Sequence, residues 1–160
     1  MRWKRSPELK IELVTRNGEE TLAAGNQLGN RLRGGEVITL SGPLGAGKTC
    51  FAKGVGKALE ISPGTVASPT FILRAEYEGK FPLAHVDLYR LDSQDEIKRL
   101  GLFDQEDPRT VLVIEWPEKA ESALPPHRVD IRISPEGESI RRVSMTGIGS
   151  EYRYLLNESK

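Results

Sequence analysis

Residues 42–49 (GPLGAGKT) restrict what this chain can fold into more than any other part of the sequence. They match the phosphate-binding pattern G-x-x-x-x-G-K-[ST] at every required position. The apolar and β-branched residues 37–40 before them predict a buried strand. Residues 50–59 place apolar or small side chains at helical spacing. The sequence therefore predicts a strand, a glycine-rich loop and a helix, which is the setting in which this motif binds phosphate.

The residue types in this P-loop suit a polyphosphate. Glycines permit unusual φ angles and close approach, so backbone N–H groups from residues such as Leu44, Gly45, Ala46, Gly47 and Cys50 can converge on the ligand. The helix that begins near Lys48 adds its N-terminal amides and its dipole. Lys48 would place positive charge on the β- and γ-phosphates, and the Thr49 hydroxyl would bind Mg²⁺. A chance glycine-rich turn is the competing interpretation, which the strand and helix context disfavours.

Composition narrows the class of protein. A length of 160 residues suits one domain, here predicted to span residues 1–160 with terminal extensions at 1–9 and 147–160. The chain has 23 basic and 23 acidic residues, and this zero net charge argues against non-specific nucleic-acid binding. The single cysteine, Cys50, suits a reducing compartment and is predicted to be a small buried filler. We find no signal-peptide core or membrane-spanning run, so we expect no membrane association and a cytoplasmic location.

Periodicity predicts the remaining elements. Asn17 is expected to cap a helix that packs closely on a sheet and ends at Gly34-Gly35. The predicted elements are a strand at 10–14, a helix at 19–32, hairpin strands at 71–77 and 81–86, a helix at 95–100, a strand at 111–114, a helix at 117–123 and hairpin strands at 129–134 and 140–146. We therefore predict an α/β fold: a single P-loop NTPase domain whose mixed sheet has parallel core strands flanked by helices and antiparallel hairpins.

Two acidic residues follow predicted strands and are candidates for metal or water chemistry. Glu115 ends the apolar run 111–114, the pattern of a Walker B strand, where a carboxylate can hold Mg²⁺ or orient a water. Asp87 follows the strand 81–86 and is the competing candidate. A surface or capping carboxylate is the structural alternative for each residue, and the sequence leaves open which of the two is the stronger metal ligand.

Several residues near these carboxylates are further candidates. Ser68 and Thr70 lie in a loop after the P-loop helix, where nucleotide-sensing switch segments of P-loop proteins occur. Trp116 directly follows Glu115, and a Trp at the mouth of a nucleotide site can stack or contact a partner. His85 is interpreted as a structural histidine, and Arg90 could pair with Asp87 or reach phosphate.

Together these motifs resemble one known family. Residues 42–49, the segment 68–71 (SPTF), residues 85–90 (HVDLYR) and residues 115–118 (EWPE) resemble, in this order and at these spacings, the bacterial TsaE (YjeE) family. The resemblance extends over residues 17–134, which is most of the chain. Pro43 and Cys50 are mild departures from the family pattern, and neither position is a required phosphate contact through its side chain.

The resemblance implies a Mg²⁺-dependent P-loop ATPase that uses ATP and releases ADP. Members of the family support formation of N6-threonylcarbamoyladenosine (t6A) at position 37 of tRNAs that read codons starting with A. They work with TsaB and TsaD, and TsaD transfers the threonylcarbamoyl group. The resemblance therefore implies that tRNA is met only indirectly, through the complex, and that ATP hydrolysis resets that complex between turnovers.

Residue by residue, the resemblance implies phosphate binding by residues 44–49 and Mg²⁺ contacts from Thr49 and Glu115. It also implies functional importance for Asp87 and Trp116. The adenine is expected near the turn that opens the first helix, around Asn17 and Gly18.

The resulting hypothesis gives catalytic roles to Lys48, Asp87 and Glu115, with slow turnover in the absence of partners because no arginine finger is evident. Asp87 would position the attacking water or couple the site to the loop containing Ser68 and Thr70. A small-molecule kinase is one alternative, although no Arg-rich lid segment is present. A nucleotide-gated assembly factor whose hydrolysis is incidental is another. Direct reading of tRNA is disfavoured by the charge balance and the lack of an RNA-binding motif.

Overall fold

Helices and strands alternate along most of this chain, as expected for an α/β protein. A computed structural model describes residues 4–5, 10–149 and 151–156, with only the backbone of residues 4 and 5. In chain order the elements are β1 (Lys4–Arg5), β2 (Lys10–Thr15), α1 (Gly18–Gly29), β3 (Val37–Ser41), α2 (Lys48–Ala58), β4 (Arg74–Tyr77), β5 (Leu83–Asp87), α3 (Gln94–Leu100), β6 (Val111–Glu115), β7 (Arg128–Pro135) and β8 (Arg141–Ile148), with short 3₁₀ helices at Pro117–Lys119, Glu121–Ala123 and Arg153–Leu156.

All the described strands belong to one mixed sheet in the order β1-β2-β8-β7-β3-β6-β5-β4. The central strands β7, β3, β6 and β5 are parallel to one another. The outer strands pair antiparallel, including the hairpins β4–β5 and β7–β8. The predicted fold class, with parallel core strands and antiparallel hairpins, is confirmed. Because parallel strands end at the same edge of a sheet, β3, β5, β6 and β7 all deliver their following segments to one edge.

Two apolar layers cover the two faces of the sheet. Side chains alternate along each strand, so Ile38 and Leu40 of β3 pack in the layer that contains α1 and α2. Leu112 and Ile114 of β6 face the opposite layer, which contains α3. Strand β6 is buried along its whole length, as predicted for a continuous apolar run between helix layers, and so is β5.

Helix α1 differs from the sequence prediction in its end and in its packing. Asn17 caps it as expected, because its side-chain oxygen accepts the Glu20 N–H at 2.9 Å. The helix ends at Gly29 rather than near residue 32, since Leu32 N bonds to Gly29 O in a turn. Its glycines face α2 instead of the sheet. A Cβ at Gly25 would lie 2.1 Å from the Phe51 carbonyl oxygen, so the missing side chain permits close helix–helix contact.

Other boundaries also move for local reasons. Strand β4 begins at Arg74 rather than at residue 71, because Leu73 adopts a φ of 67° and its N–H closes a turn onto Pro69 O. Phe71 and Ile72 are therefore exposed at a loop tip. The segment predicted as one helix at 117–123 consists of two 3₁₀ helices.

The C-terminal segment is partly integrated into the core. Strand β8 continues through Ile148, and Leu155 and Leu156 are buried in the layer of α1 and α2. Tyr154 donates its hydroxyl hydrogen to the buried Glu36 carboxylate, whose other contacts are the N–H groups of Arg33 and Gly34. These residues of the predicted extension from residue 147 therefore pack against the domain. Residues 1–3, 6–9, 150 and 157–160 lie outside the described residues. Within the described part, no helix is long and apolar enough to cross a membrane.

Candidate nucleotide site

A cleft of about 440 Å³ opens at the sheet edge where β3, β5 and β6 end. It brings together segments far apart in sequence: the P-loop, the loop after α2, and the ends of two parallel strands. Its lining consists of Leu44, Gly45, Ala46, Gly47, Lys48, Thr49, Cys50, Ser68, Thr70, Asp87, Tyr89, Glu115 and Trp116. The candidates Asn17, Gly18 and Arg90 do not line it, and neither does His85.

The P-loop backbone presents donors without a side-chain cap. Gly42, Gly45 and Gly47 all have positive φ angles of 145°, 76° and 106°, which residues with a Cβ adopt only under strain. Gly47 is the N-cap of α2 and offers no side chain to the first helical N–H groups. A helix N-terminus of this kind attracts an anion through its unpaired amides and its dipole.

Lys48 extends from the first turn of α2 back along the loop. Its ammonium donates to the carbonyl oxygens of Gly42 and Pro43, and it lies 4.1 Å from the centre of the Trp116 ring. Burial lowers the pKa of Lys48, while the nearby carboxylates of Glu115, Glu118 and Asp87 oppose that shift. The cleft thus holds one buried cation facing acidic groups across a short space.

Glu115 is held by a buried histidine on the neighbouring strand. His85 Nε2 lies 2.6 Å from Glu115 Oε2, and both side chains are almost fully buried. His85 Nδ1 is buried with no hydrogen-bond partner among the described residues. The pairing assigns Nε2 as the donor, because a carboxylate oxygen accepts. The other oxygen, Oε1, makes no hydrogen bond within the described part of the chain.

Asp87 holds the loop that follows α2. Its Oδ2 accepts hydrogen bonds from Ser68 Oγ at 2.9 Å and Thr70 Oγ1 at 2.8 Å. Its Oδ1 accepts the Tyr89 N–H at 2.9 Å. Both carboxylate oxygens are therefore engaged by groups of the protein. Any movement of this loop must break or remake its bonds to Asp87.

Trp116 covers one side of the cleft. It follows β6 directly and has a left-handed backbone, with φ 59° and ψ 50°, which is uncommon for a bulky residue. Its ring packs against Tyr89, with centroids 5.0 Å apart. Strain at such a position is often retained at functional sites because it aims a side chain. Here the aimed indole contacts the Lys48 ammonium.

The start of α1 lies beside the start of α2. Cys50 Sγ donates to the carbonyl oxygen of Gly18 at 3.0 Å, and Asn17 uses its side chain to cap α1. Cys50 is half-buried and lines the cleft, so the prediction of a buried filler is wrong. Burial raises the pKa of its thiol, which disfavours the reactive thiolate.

The donors in the cleft fit Mg²⁺ bound together with phosphate. Among the described residues there is no cluster of three or more His, Cys, Asp or Glu side chains that could hold a metal alone. Mg²⁺ in nucleotide sites takes few protein ligands and completes its shell with phosphate oxygens and waters. The Thr49 hydroxyl and Glu115 Oε1 match that donor set.

Sequence reasoning missed two neighbours of the site. Tyr89 lines the cleft, and its place after Asp87 was the only sequence signal for it. Arg141 of β8 bonds to P-loop carbonyls, and no sequence pattern links it to the loop. Arg90 lies 5.3 Å from the Phe71 ring centre instead of pairing with Asp87.

Chemically, the cleft combines the uncapped N-terminus of α2, the Lys48 ammonium, several hydroxyls and two carboxylates with different partners. This set suits an anionic polyphosphate with an oxygen-seeking metal. Its one thiol, that of Cys50, is shifted toward the neutral form, which disfavours it as a nucleophile.

Comparison with known proteins gives a consistent family assignment. A family model described as "Threonylcarbamoyl adenosine biosynthesis protein TsaE" matches residues 15–143. The chain is 39% identical over 150 residues to the tRNA threonylcarbamoyladenosine biosynthesis protein TsaE of Bacillus subtilis (strain 168), covering 93% of each chain. It is 37% identical over 135 residues to the protein of that description from Treponema pallidum (strain Nichols), covering 84% of this chain and 99% of that one.

A solved structure agrees in fold. The crystal structure of Bacillus subtilis YdiB superposes with a TM-score of 0.76 and 33% sequence identity, covering 97% of this chain and 93% of that one. The residues matched by the family model include the P-loop, the carboxylates Asp87 and Glu115 at the strand ends, and the loop between α2 and β4.

Proposed function

The chain belongs to the TsaE family, and from this premise we propose that it is a Mg²⁺-dependent ATPase supporting t6A formation in tRNA. Membership assigns the chain to threonylcarbamoyladenosine biosynthesis. ATP hydrolysis, and action on a complex of TsaB and TsaD, are the further content of the proposal. Members of the pathway act on tRNA, so the proposal retains the cytoplasmic location expected from the sequence.

One observation carries the proposal. A single cleft at the ends of the parallel strands combines the uncapped N-terminus of α2, the Lys48 ammonium, the Thr49 hydroxyl and the Glu115 carboxylate. Hydrolysis of a phosphoanhydride requires these same elements: hydrogen-bond donors to the phosphates, a positive charge beside the transferred phosphoryl group and ligands for the metal.

In the proposed mechanism, amides of the P-loop bind the phosphates and Lys48 places its charge on the β- and γ-phosphates. Thr49 and Glu115 would hold Mg²⁺, which supplies charge neutralisation at the phosphate oxygens when bound. His85 occupies Glu115 Oε2, which leaves Oε1 of this cleft-lining residue as the oxygen that would bind the metal. Burial of Lys48 and Glu115 lowers the local dielectric and strengthens these charge interactions.

Asp87 has a different role in this proposal. Because its oxygens bind Ser68, Thr70 and Tyr89, it links the cleft to the exposed loop that ends in Phe71 and Ile72. A partner that contacts this loop would act on the site through Asp87. The zero net charge agrees with tRNA being met through the partner proteins rather than directly.

The testing experiment is ATP hydrolysis by the purified chain, measured alone and with TsaB and TsaD. The Lys48→Ala variant is the control without the phosphate-binding cation. We expect slow turnover alone, faster turnover with the partners and none in the variant. Near-normal hydrolysis by Lys48→Ala would contradict the assignment of the site.

Two further outcomes would redirect the function. Turnover that ignores TsaB and TsaD but rises with a small acceptor molecule would indicate a kinase. Full support of t6A formation by a Glu115→Gln variant that no longer hydrolyses ATP would indicate a nucleotide-gated assembly factor.

A further inference from the structure

Arg141 joins the hairpin β7–β8 to the P-loop. Its Nε donates to the carbonyl oxygen of Ala46 at 3.0 Å, and its Nη2 donates to that of Gly45 at 3.3 Å. Its Nη1 faces the turn of the hairpin, with carbonyl oxygens of Gly137 at 3.1 Å and Ile140 at 3.0 Å. One guanidinium therefore fastens two consecutive P-loop peptides to a tight turn of the sheet.

The topology explains why this contact exists. Strand β7 is parallel to β3 and hydrogen-bonded to it, so the turn after β7 emerges at the same edge as the P-loop. Gly42 is part of the same junction, since a Cβ there would lie 2.3 Å from the Ile133 carbonyl oxygen of β7. Arg141 opens β8 directly after that turn and extends its guanidinium across to the loop.

The planarity of the peptide bond gives this contact a consequence for the cleft. In a trans peptide the C=O and the following N–H point in opposite directions. A guanidinium that holds the Ala46 carbonyl therefore turns the Gly47 N–H away from Arg141, and Gly47 is one of the residues that line the cleft. The Gly45 carbonyl is held in the same way, while the Ala46 N–H closes a turn onto Pro43 O.

We infer that Arg141 is a positioning residue for nucleotide binding: it fixes the Ala46–Gly47 peptide so that the Gly47 N–H is preset toward the phosphates, and it holds the Gly45–Ala46 peptide in the turn that the Ala46 N–H closes. The residue touches no ligand itself. It acts because glycines at positions 45 and 47 leave the loop backbone free to rotate, and a bound guanidinium removes that freedom before the ligand arrives. This inference rests on the proposed function only in requiring that the cleft binds a nucleotide.

The test compares Arg141→Ala and Arg141→Lys with Arg142→Ala. Arg142 is the adjacent arginine of the same strand, and it pairs with Glu136 and Glu12 instead of the P-loop. Dissociation constants for ADP are measured by calorimetry with Mg²⁺ present, together with urea unfolding curves without nucleotide. Each ADP titration is repeated with millimolar guanidinium ion, which can occupy the space left by the Arg141→Ala truncation.

We expect Arg141→Ala to bind ADP on the order of tenfold more weakly than the native chain, the factor that corresponds to about 1.4 kcal/mol. Added guanidinium should restore part of that affinity. The ADP affinity of Arg141→Lys should lie between that of the native chain and that of Arg141→Ala, because an ammonium lacks the planar fork that spans two carbonyls. Arg142→Ala should bind ADP like the native chain, with or without guanidinium.

Three results would overturn the inference. The first is equal ADP affinity in Arg141→Ala and Arg142→Ala, and the second is native affinity in Arg141→Lys. The third is a loss of ADP affinity in Arg141→Ala that is accompanied by a lower urea midpoint of unfolding and is not restored by guanidinium. A residue that only stabilises the fold would give this result. Failure of the native chain to bind ADP would instead remove the proposed function, and the inference with it.

Discussion

Asp87 and Glu115 lie opposite each other on the neighbouring parallel strands β5 and β6, yet the structure gives their carboxylates different partners. Asp87 accepts hydrogen bonds from two loop hydroxyls and a backbone N–H. Glu115 is held through one oxygen by His85, and its side chain is among those that line the cleft. We infer that the pair divides its work, with Glu115 serving the metal and Asp87 serving the loop.

Charge-neutral variants of the two carboxylates should therefore fail in different ways. Glu115→Gln should lose the enhancement of ADP affinity by Mg²⁺, because an amide oxygen is a weaker ligand for a hard cation than a carboxylate. Asp87→Asn should keep that enhancement but lose the stimulation of turnover by TsaB and TsaD. Calorimetry with and without Mg²⁺, followed by hydrolysis assays with the partners, measures both effects.

A loop variant provides the matched control for Asp87. Ser68→Ala combined with Thr70→Val removes the two hydroxyl donors and leaves both carboxylates in place. It should reproduce the phenotype of Asp87→Asn. If Asp87→Asn abolishes the Mg²⁺ effect as fully as Glu115→Gln does, the division between the two residues is wrong.

His85 should stabilise the fold by its hydrogen bond to the buried Glu115 carboxylate. His85→Phe removes the donor and leaves a buried carboxylate oxygen unpaired, which should cost about 2–3 kcal/mol in the free energy of unfolding. Adding Glu115→Gln should recover part of that loss, because a neutral amide is less costly to bury than a carboxylate. Urea unfolding of the single and double variants tests the coupling. Additive effects of the two substitutions would contradict it.

Nucleotide affinity should decline with rising pH, and the decline should begin at a lower pH than the pKa of an exposed lysine would give. Burial lowers the pKa of Lys48, so its ammonium loses its proton at a lower pH than that of an exposed lysine. Only the charged form attracts phosphate, and ADP affinity should therefore fall as pH rises through that lowered pKa. A pH series of ADP dissociation constants measures the midpoint. Lys48→Ala should bind ADP weakly and show no alkaline decline in affinity. If the decline in the native chain has its midpoint at or above the ordinary lysine pKa, Lys48 is not the group responsible.

The contact between α1 and α2 should tolerate no side chain at Gly54. A Cβ there would lie 1.9 Å from the Leu22 carbonyl oxygen of α1, so Gly54→Ala must push two helix backbones apart. We expect a loss of about 1–3 kcal/mol in unfolding free energy despite the better helix propensity of Ala. Gly56→Ala in the same helix is the control, since the nearest atoms to its Cβ would belong to side chains, the closest being that of Val66 at 3.0 Å. Equal thermal midpoints of unfolding for the two variants would show that the close backbone contact at Gly54 does not exclude a side chain.

Local patterns were sufficient for the elements and for most of the site. The P-loop could be recognised because its chemistry is contained in eight consecutive residues. Continuous apolar runs predicted the buried strands β3 and β6, and the Asn17 cap of α1 followed from short-range hydrogen bonding. The carboxylates Asp87 and Glu115 could be proposed because each stands at the end of its own strand.

What the sequence determined by itself was thus the phosphate loop, the buried strands β3 and β6, the Asn17 cap and the family motifs. The tertiary structure alone decided that His85 holds Glu115, that Asp87 holds the Ser68 and Thr70 hydroxyls, and that Arg141 supports the P-loop. These contacts join segments whose separation in sequence carries no periodic signal. They depend on strand order and register, which are fixed by the packing of the whole sheet between two helix layers.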